Sequence, residues 1–280
     1  MYSSTLKAED YVEPRCLLCE EPYGASPDIR PVPQERIIRR MNEYLAEIDY
    51  AGAEKHLLYW MEEARLGHDL RGQLMLHNEL TGHYRKTGEK EKSLEHAEAA
   101  VALVHELELE GTISSGTTYV NAATAYNAFG IPDRSMELFE KARAVYEADG
   151  RTDKVLLGGL YNNMALNVFA LGRYDEALDL YEKALSAMES VEDGRLEQAI
   201  TYLNIADVYE SMLDTKDAEP HIDRCLDTAY RLLTTGEVKD PGYYAFVCGK
   251  CAPVFEHYGY FLAAQEMRSH ERDGFCKDLV

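Results

Sequence analysis

Gly88, Gly130 and Gly172 each close a short run opened four residues earlier by Tyr84, Tyr126 and Val168, and the step from one glycine to the next is constant. Upstream of them a second pattern keeps nearly the same step. Tyr119, Asn121 and Ala123 are followed at that step by Tyr161, Asn163 and Ala165, and then, one position early, by Tyr202, Asn204 and Ala206. A fixed period of this size marks a row of supersecondary units, each too small to bury its apolar face alone and therefore stacked on its neighbours. No other feature of the chain constrains its fold as strongly.

Each unit reads as two amphipathic helices around a tight turn. In the clearest one the first helix spans roughly 160–170 and the second roughly 175–188, with Gly172 where a helix C-terminus needs a positive φ. Ala177, Tyr181 and Ala184 follow at i, i+4 and i+7, an apolar stripe whose small members let a neighbouring helix approach closely. Gly111, Gly150, Gly194 and Gly236 fall in the longer gaps, where loops are expected.

These residues resemble the tetratricopeptide repeat family, whose pattern asks for small residues at positions 8, 20 and 27, glycine at 15 and an aromatic near 24. Counted from Gly158, they are Ala165, Gly172, Ala177, Tyr181 and Ala184. Counted from Gly116 they are Ala123, Gly130, Ser135, Phe139 and Ala142, and from Leu74 they are Thr81, Gly88, Ser93, Ala97 and Ala100. The unit from Ala199 keeps Ala206, Ala218, Ile222 and Cys225 but has Leu213 at the glycine position; the degenerate unit from Gln34 has Ile48 there. The unit from Ala245 keeps Ala252, Gly259 and Ala264, with Arg268 and Glu271 where an internal unit is apolar, as suits a terminal repeat facing water. The length of the step, the run 161–165 and the segment 218–220 look like the kinesin-light-chain type of repeat. The resemblance implies an all-α fold, a right-handed α-solenoid of antiparallel helix pairs. Six units start near residues 34, 74, 116, 158, 199 and 245 and fill 34–273, between a proline-rich extended arm (1–33) and a short tail (274–280).

In that family the first helices line a concave groove through positions 2, 5, 6, 9, 12 and 13. Position 6 is asparagine in three successive units, Asn121, Asn163 and Asn204, with Asn162 beside the second. The resemblance implies that such amides bond the backbone of an extended peptide, since one side chain both donates and accepts. The alternative is that they keep the groove polar or join neighbouring helices. Glu79, Asp207 and Lys250 are charged groove positions, while Leu166, Phe169, Leu203 and Phe246 are apolar ones. The two-carboxylate clamp for chaperone tails lacks four of its five residues. A neutral or mildly basic segment with a few apolar side chains fits better.

Charge narrows the partner. Fifty acidic against 29 basic residues leave a net charge of −21, which repels phosphate backbones and anionic membranes, and the cluster Arg36, Arg39 and Arg40 is too small to reverse it. No apolar run reaches the ~18–20 residues of a membrane span, and no signal peptide precedes the array, so the expectation is a cytoplasmic protein with reduced thiols. The pairs Cys16/Cys19 and Cys248/Cys251 have zinc-site spacing but lie near opposite ends of the chain. Cys248 and Cys251 fall on inward repeat positions, where cysteine is a good small core residue, so no metal site is assigned. No phosphate loop, dinucleotide fingerprint, nucleophile elbow or metalloprotease motif occurs, and the nine histidines are scattered. No catalytic residue or cofactor is expected. The leading expectation is a module that holds a peptide or partner protein in its groove. The alternative is a self-assembling scaffold, as a homodimer or with the arm in its own groove. Peptide-pheromone-sensing regulators also use such repeats, but the arm 1–33 is too short for a helix-turn-helix output unit.

Overall fold

The apolar residue four places before each turn glycine is buried, as Tyr84, Tyr126, Val168 and Phe255 show, and its backbone carbonyl anchors the turn. The computed structural model describes residues 29–148, 150 and 152–277, the side chains of 272–277 excepted. In it Gly88, Gly130, Gly172 and Gly259 have φ of 79°, 72°, 73° and 80°. The N–H of the next residue turns back to the carbonyl of the apolar one: Glu89 to Tyr84 at 2.8 Å, Ile131 to Tyr126 at 2.9 Å, Arg173 to Val168 at 3.0 Å and Tyr260 to Phe255 at 2.8 Å. This closure satisfies the orphan carbonyls at the end of the first helix and reverses the chain into the second.

The described residues form twelve helices and no strand. They fall into two units, each an array of helix pairs. Unit 1 pairs α1 (Gln34–Ala46) with α2 (Tyr50–Leu66), α3 (Leu70–Thr87) with α4 (Lys90–Glu106), and α5 (Ile113–Ala128) with α6 (Pro132–Ala148). Unit 2 pairs α7 (Lys154–Ala170) with α8 (Tyr174–Glu189), α9 (Arg195–Met212) with α10 (Thr215–Thr234), and α11 (Pro241–His257) with α12 (Phe261–Lys277). The architecture is the all-α solenoid of antiparallel helix pairs.

Small residues carry the pair interfaces. Ala123, Ala142, Ala165, Ala177, Ala184 and Ala206 are wholly buried. Where the second helix has serine in place of alanine, its hydroxyl crosses the pair: Ser93 to the Thr81 carbonyl at 2.9 Å and Ser135 to the Ala123 carbonyl at 2.8 Å. Gly116 is required by its neighbour, because a Cβ there would lie 2.3 Å from the Tyr146 ring. Cys248 and Cys251 point into the core of unit 2 with Leu203, Leu226, Val247 and Phe255. Burial pushes the Cys248 thiol up to about 11 and Cys251 up to about 12, as inert core thiols behave. Cys16 and Cys19 lie outside the described residues.

Three local expectations are modified. Helix α7 begins at Lys154, well before residue 160, because the Asp153 carboxylate caps it by accepting the Val155 N–H at 2.9 Å. Ile48 holds the left-handed turn without a glycine, at φ 57°, with Asp49 N–H bonded to the Tyr44 carbonyl at 2.8 Å. Leu213 does not: its φ is −117° and ψ 156°, so the chain leaves α9 extended and Asp214 starts α10. The last residues before α1 are held to the α2–α3 corner. Arg30 N–H donates to the Gly67 carbonyl, and Val32 N–H donates to the buried Asp69 carboxylate, which also accepts from Gly72.

Candidate functional site

The asparagines at two adjacent repeat positions have opposite fates. At position 5, Asn162 is 9% exposed and its amide donates to the Thr201 hydroxyl of the next first helix at 2.9 Å, with its carbonyl oxygen 3.0 Å from the same hydroxyl. In unit 1 Asn78 does the same, donating to Thr118 at 3.0 Å. In the last repeat pair these places hold Leu203 and Val247, both core residues. Asn162 thus spends its amide on the neighbouring helix, unlike Asn163 beside it. The physical reason is the ~100° that one helical residue turns, which swings it from the open face onto the neighbouring helix.

At position 6, Asn121 on α5, Asn163 on α7 and Asn204 on α9 are half-buried. Their amides make no hydrogen bond among the described residues. A half-buried amide with neither donor nor acceptor matched keeps its full hydrogen-bonding capacity for something else.

In unit 2, Asp207 stands one turn beyond position 6 on α9. Its carboxylate accepts the Tyr258 hydroxyl at 2.9 Å, and Tyr258 lies 3.2 Å from Glu210, which also meets His257 Nε2 at 3.2 Å. Burial raises the Asp207 carboxyl above the ordinary aspartate range; the Tyr258 bond opposes this and the Glu210 charge adds to it. The Tyr181 hydroxyl is fully buried with no partner among the described residues. Burial first, and then the charge of Asp207, hold that phenol in its neutral form. Lys250 on α11 is exposed, with its ammonium 5.6 Å from the centre of the Phe246 ring. Phe246 is 51% exposed and stacks on Tyr243.

In unit 1, Glu79, Asn78 and Asn121 line one cavity of about 140 Å³, with Met75, Leu109 and Gln34 also in its wall. Burial raises the Glu79 carboxyl, which has no ion pair or hydrogen bond among the described residues. The carbonyl oxygen of Asn78 is buried without a donor. Of the expected residues, then, Glu79 and Asn121 share a cavity, while Asn163, Asn204, Asp207 and Lys250 lie on first helices of unit 2.

Among the described residues no three His, Cys, Asp or Glu side chains are grouped to hold a metal ion. No helix there is long and apolar enough to cross a membrane. One contact escaped the sequence: His77 of α3 meets His96 of α4 Nδ1 to Nδ1 at 2.7 Å, and His96 stacks on Tyr84. Comparing His77 with His83 along one helix misses a partner across the pair, although the repeat register places α4 against α3.

Residues 156–231 match the tetratricopeptide repeat family model. No curated protein matches the sequence. Among solved structures, BtubC (BKLC) from P. vanneervenii is 20% identical over 83% of this chain and 91% of its own, with a TM-score of 0.53. NprR in complex with its cognate peptide NprX is 16% identical over 86% of this chain and 66% of that one, at 0.56. The apo form of RapI is 12% identical over 88% of this chain and all of that one, at 0.58. The chain thus resembles tetratricopeptide-repeat proteins in sequence over part of its length and in fold over most of it.

Proposed function

We propose that this protein is a protein-interaction module whose first helices hold an extended peptide segment of a partner. The observation that carries this reading is the unspent state of Asn121, Asn163 and Asn204, against the amides of Asn162 and Asn78 one position before, which donate to a threonine of the next first helix. Each such amide offers a donor and an acceptor, which suits the N–H and C=O of an extended backbone. Asp207, Glu210 and Glu79 favour a segment with a basic side chain, and Phe246, Leu166 and Phe169 give apolar residues somewhere to rest. The likeness to NprR, a protein solved with its cognate peptide, supports the reading at the level of fold.

A second reading is favoured by one contact. Val32 is buried and tied to Asp69, and Gln34 lines the same cavity as Glu79 and Asn121, so the described end of the arm leads to the edge of a candidate site. A tethered segment binds at high effective concentration, and self-occupation would make the arm a gate for the partner.

Capture from source-cell lysate by the wild type and by the Asn121/Asn163/Asn204→Ala variant, each of verified mass in solution, tests the first reading. A partner retained by the wild type alone supports it; the same set on both makes the amides structural. Deleting residues 1–28 leaves Val32 in place and should raise partner affinity if the arm occupies the groove.

A further inference from the structure

At one end of unit 2 the start of α7, the α8–α9 turn and the loop between α10 and α11 enclose a cavity of about 230 Å³. Val155, Val191 and Val238 make much of its wall, and Val155 and Val238 remain 46% and 38% exposed at its mouth. Glu197 of α9 lies in the same lining. One of its carboxylate oxygens accepts the Tyr243 hydroxyl. The other has no donor among the described residues, and Glu197 belongs to no ion pair there. Burial raises its carboxyl above the usual range, and a cation brought against it would favour the charged form again.

The cavity's own cations do not supply one. Arg195 donates to the Leu232 and Glu237 carbonyls at 2.8 and 2.9 Å, which fastens the loop that forms one wall. Its remaining carboxylate neighbour is Asp193, at 3.9 Å. Lys239 is paired with Glu192. The Asp240 carboxylate is turned to the N-terminus of α11, where it accepts the Tyr243 N–H at 2.9 Å. Four carboxylates against two cations line the cavity; Glu197 and Asp240 have no cation partner among the described residues, and of these two only Asp240 is committed to a helix N-terminus.

We propose that this cavity is a docking site for a lysine side chain of a partner protein, its aliphatic stem against the three valines and its ammonium on Glu197. A cavity walled by valines, with a carboxylate oxygen of Glu197 left without a donor, suits the long stem and compact head of lysine. A planar guanidinium carries five donors and needs more acceptors than one carboxylate with a free oxygen provides. The site is separate from the asparagine positions and stands whether or not those bind a peptide.

The test is an amide-resolved NMR titration of the full chain with Nα-acetyl-lysine methylamide and, separately, with the norleucine analogue, which keeps the stem and lacks the ammonium. Expected are saturable shifts confined to residues 191–197 and 238–243 with the lysine compound, at least tenfold weaker binding of norleucine, and at least tenfold weaker lysine binding by Glu197→Gln. Val238→Trp, which closes the mouth and leaves Glu197 intact, should abolish the shifts and covers the case in which Glu197→Gln fails to fold. Equal binding of the two compounds, shifts elsewhere, or no saturable shift in the wild type overturns the proposal.

Discussion

Asn162 and Asn163 are neighbours in sequence, and replacing each with alanine should separate stability from binding. The Asn162 amide is 9% exposed, and its firm bond is the one it donates to Thr201 at 2.9 Å. The Thr201 hydroxyl has a single proton and a second acceptor, the Glu197 carbonyl at 2.9 Å, so it survives the loss with one bond intact. Asn162→Ala therefore removes about one net hydrogen bond, worth ~1 kcal/mol, and leaves a buried void where the amide was, worth ~1 kcal/mol more. The sum, about 2 kcal/mol, lowers the melting temperature by roughly 4–8 °C on the scale of a domain this size. The repeat itself shows the remedy: Leu203 and Val247 fill the equivalent places with apolar side chains. Asn162→Leu with Thr201→Val should therefore recover most of the loss and end within ~1 kcal/mol of the wild type, since removing both partners of a buried bond is nearly neutral. Asn163→Ala, half-buried and unbonded, should change stability by no more than ~0.5 kcal/mol. Urea unfolding of the four proteins decides the matter. If Asn162→Ala is as stable as the wild type, or the apolar pair is worse than the single alanine, the bridge between α7 and α9 is not what holds that interface.

Ile48 carries a left-handed turn at φ 57° while 65% exposed, so Ile48→Gly relieves backbone strain without losing packing and should raise stability by about 1 kcal/mol in chemical denaturation. Two glycines of unit 1 should respond oppositely to alanine. Gly116→Ala drives a methyl against the Tyr146 ring and should cost ~1–3 kcal/mol, whereas Gly82→Ala, whose Cβ meets nothing within 4 Å, should gain ~0.5–1 kcal/mol from helix propensity. Burial, and next the charge of His96, hold His77 down at about 4, against 6.5 for a free imidazole. The unfolded chain therefore binds the proton first as pH falls, and stability contributed by neutral His77 is lost between pH 6.5 and 4. His77→Gln should flatten the slope of stability against pH across that window, measured beside the wild type so that the carboxylates cancel.

How far the sequence can be read depends on whether a position is set by the repeat or by its neighbours. The turn glycines announce themselves because only a positive φ lets Glu89, Ile131 and Arg173 reach back to Tyr84, Tyr126 and Val168, and that need recurs with the period. Ile48 and Leu213 sit at the same register position without glycine, yet one keeps the turn and the other abandons it. Nothing in either residue type decides this. In the first case the return bond from Asp49 to Tyr44 is made, and in the second the chain extends into the cap of α10. The candidate site follows the same division. Position 6 amides are recognisable as a set, but whether an asparagine is free to bind depends on what the next first helix presents to it. For Asn162 that is Thr201, and for Asn78 it is Thr118. An asparagine at position 5 followed by a threonine at position 3 of the next unit occurs twice in this chain, so the signal was present as a pair though not as a residue. The Glu197 cavity has no such signal, because part of its wall comes from the α8–α9 turn and the α10–α11 loop, which lie outside the repeat pattern. A repeat pattern is informative about what every unit must do, and silent about what one unit's connections have been left free to do.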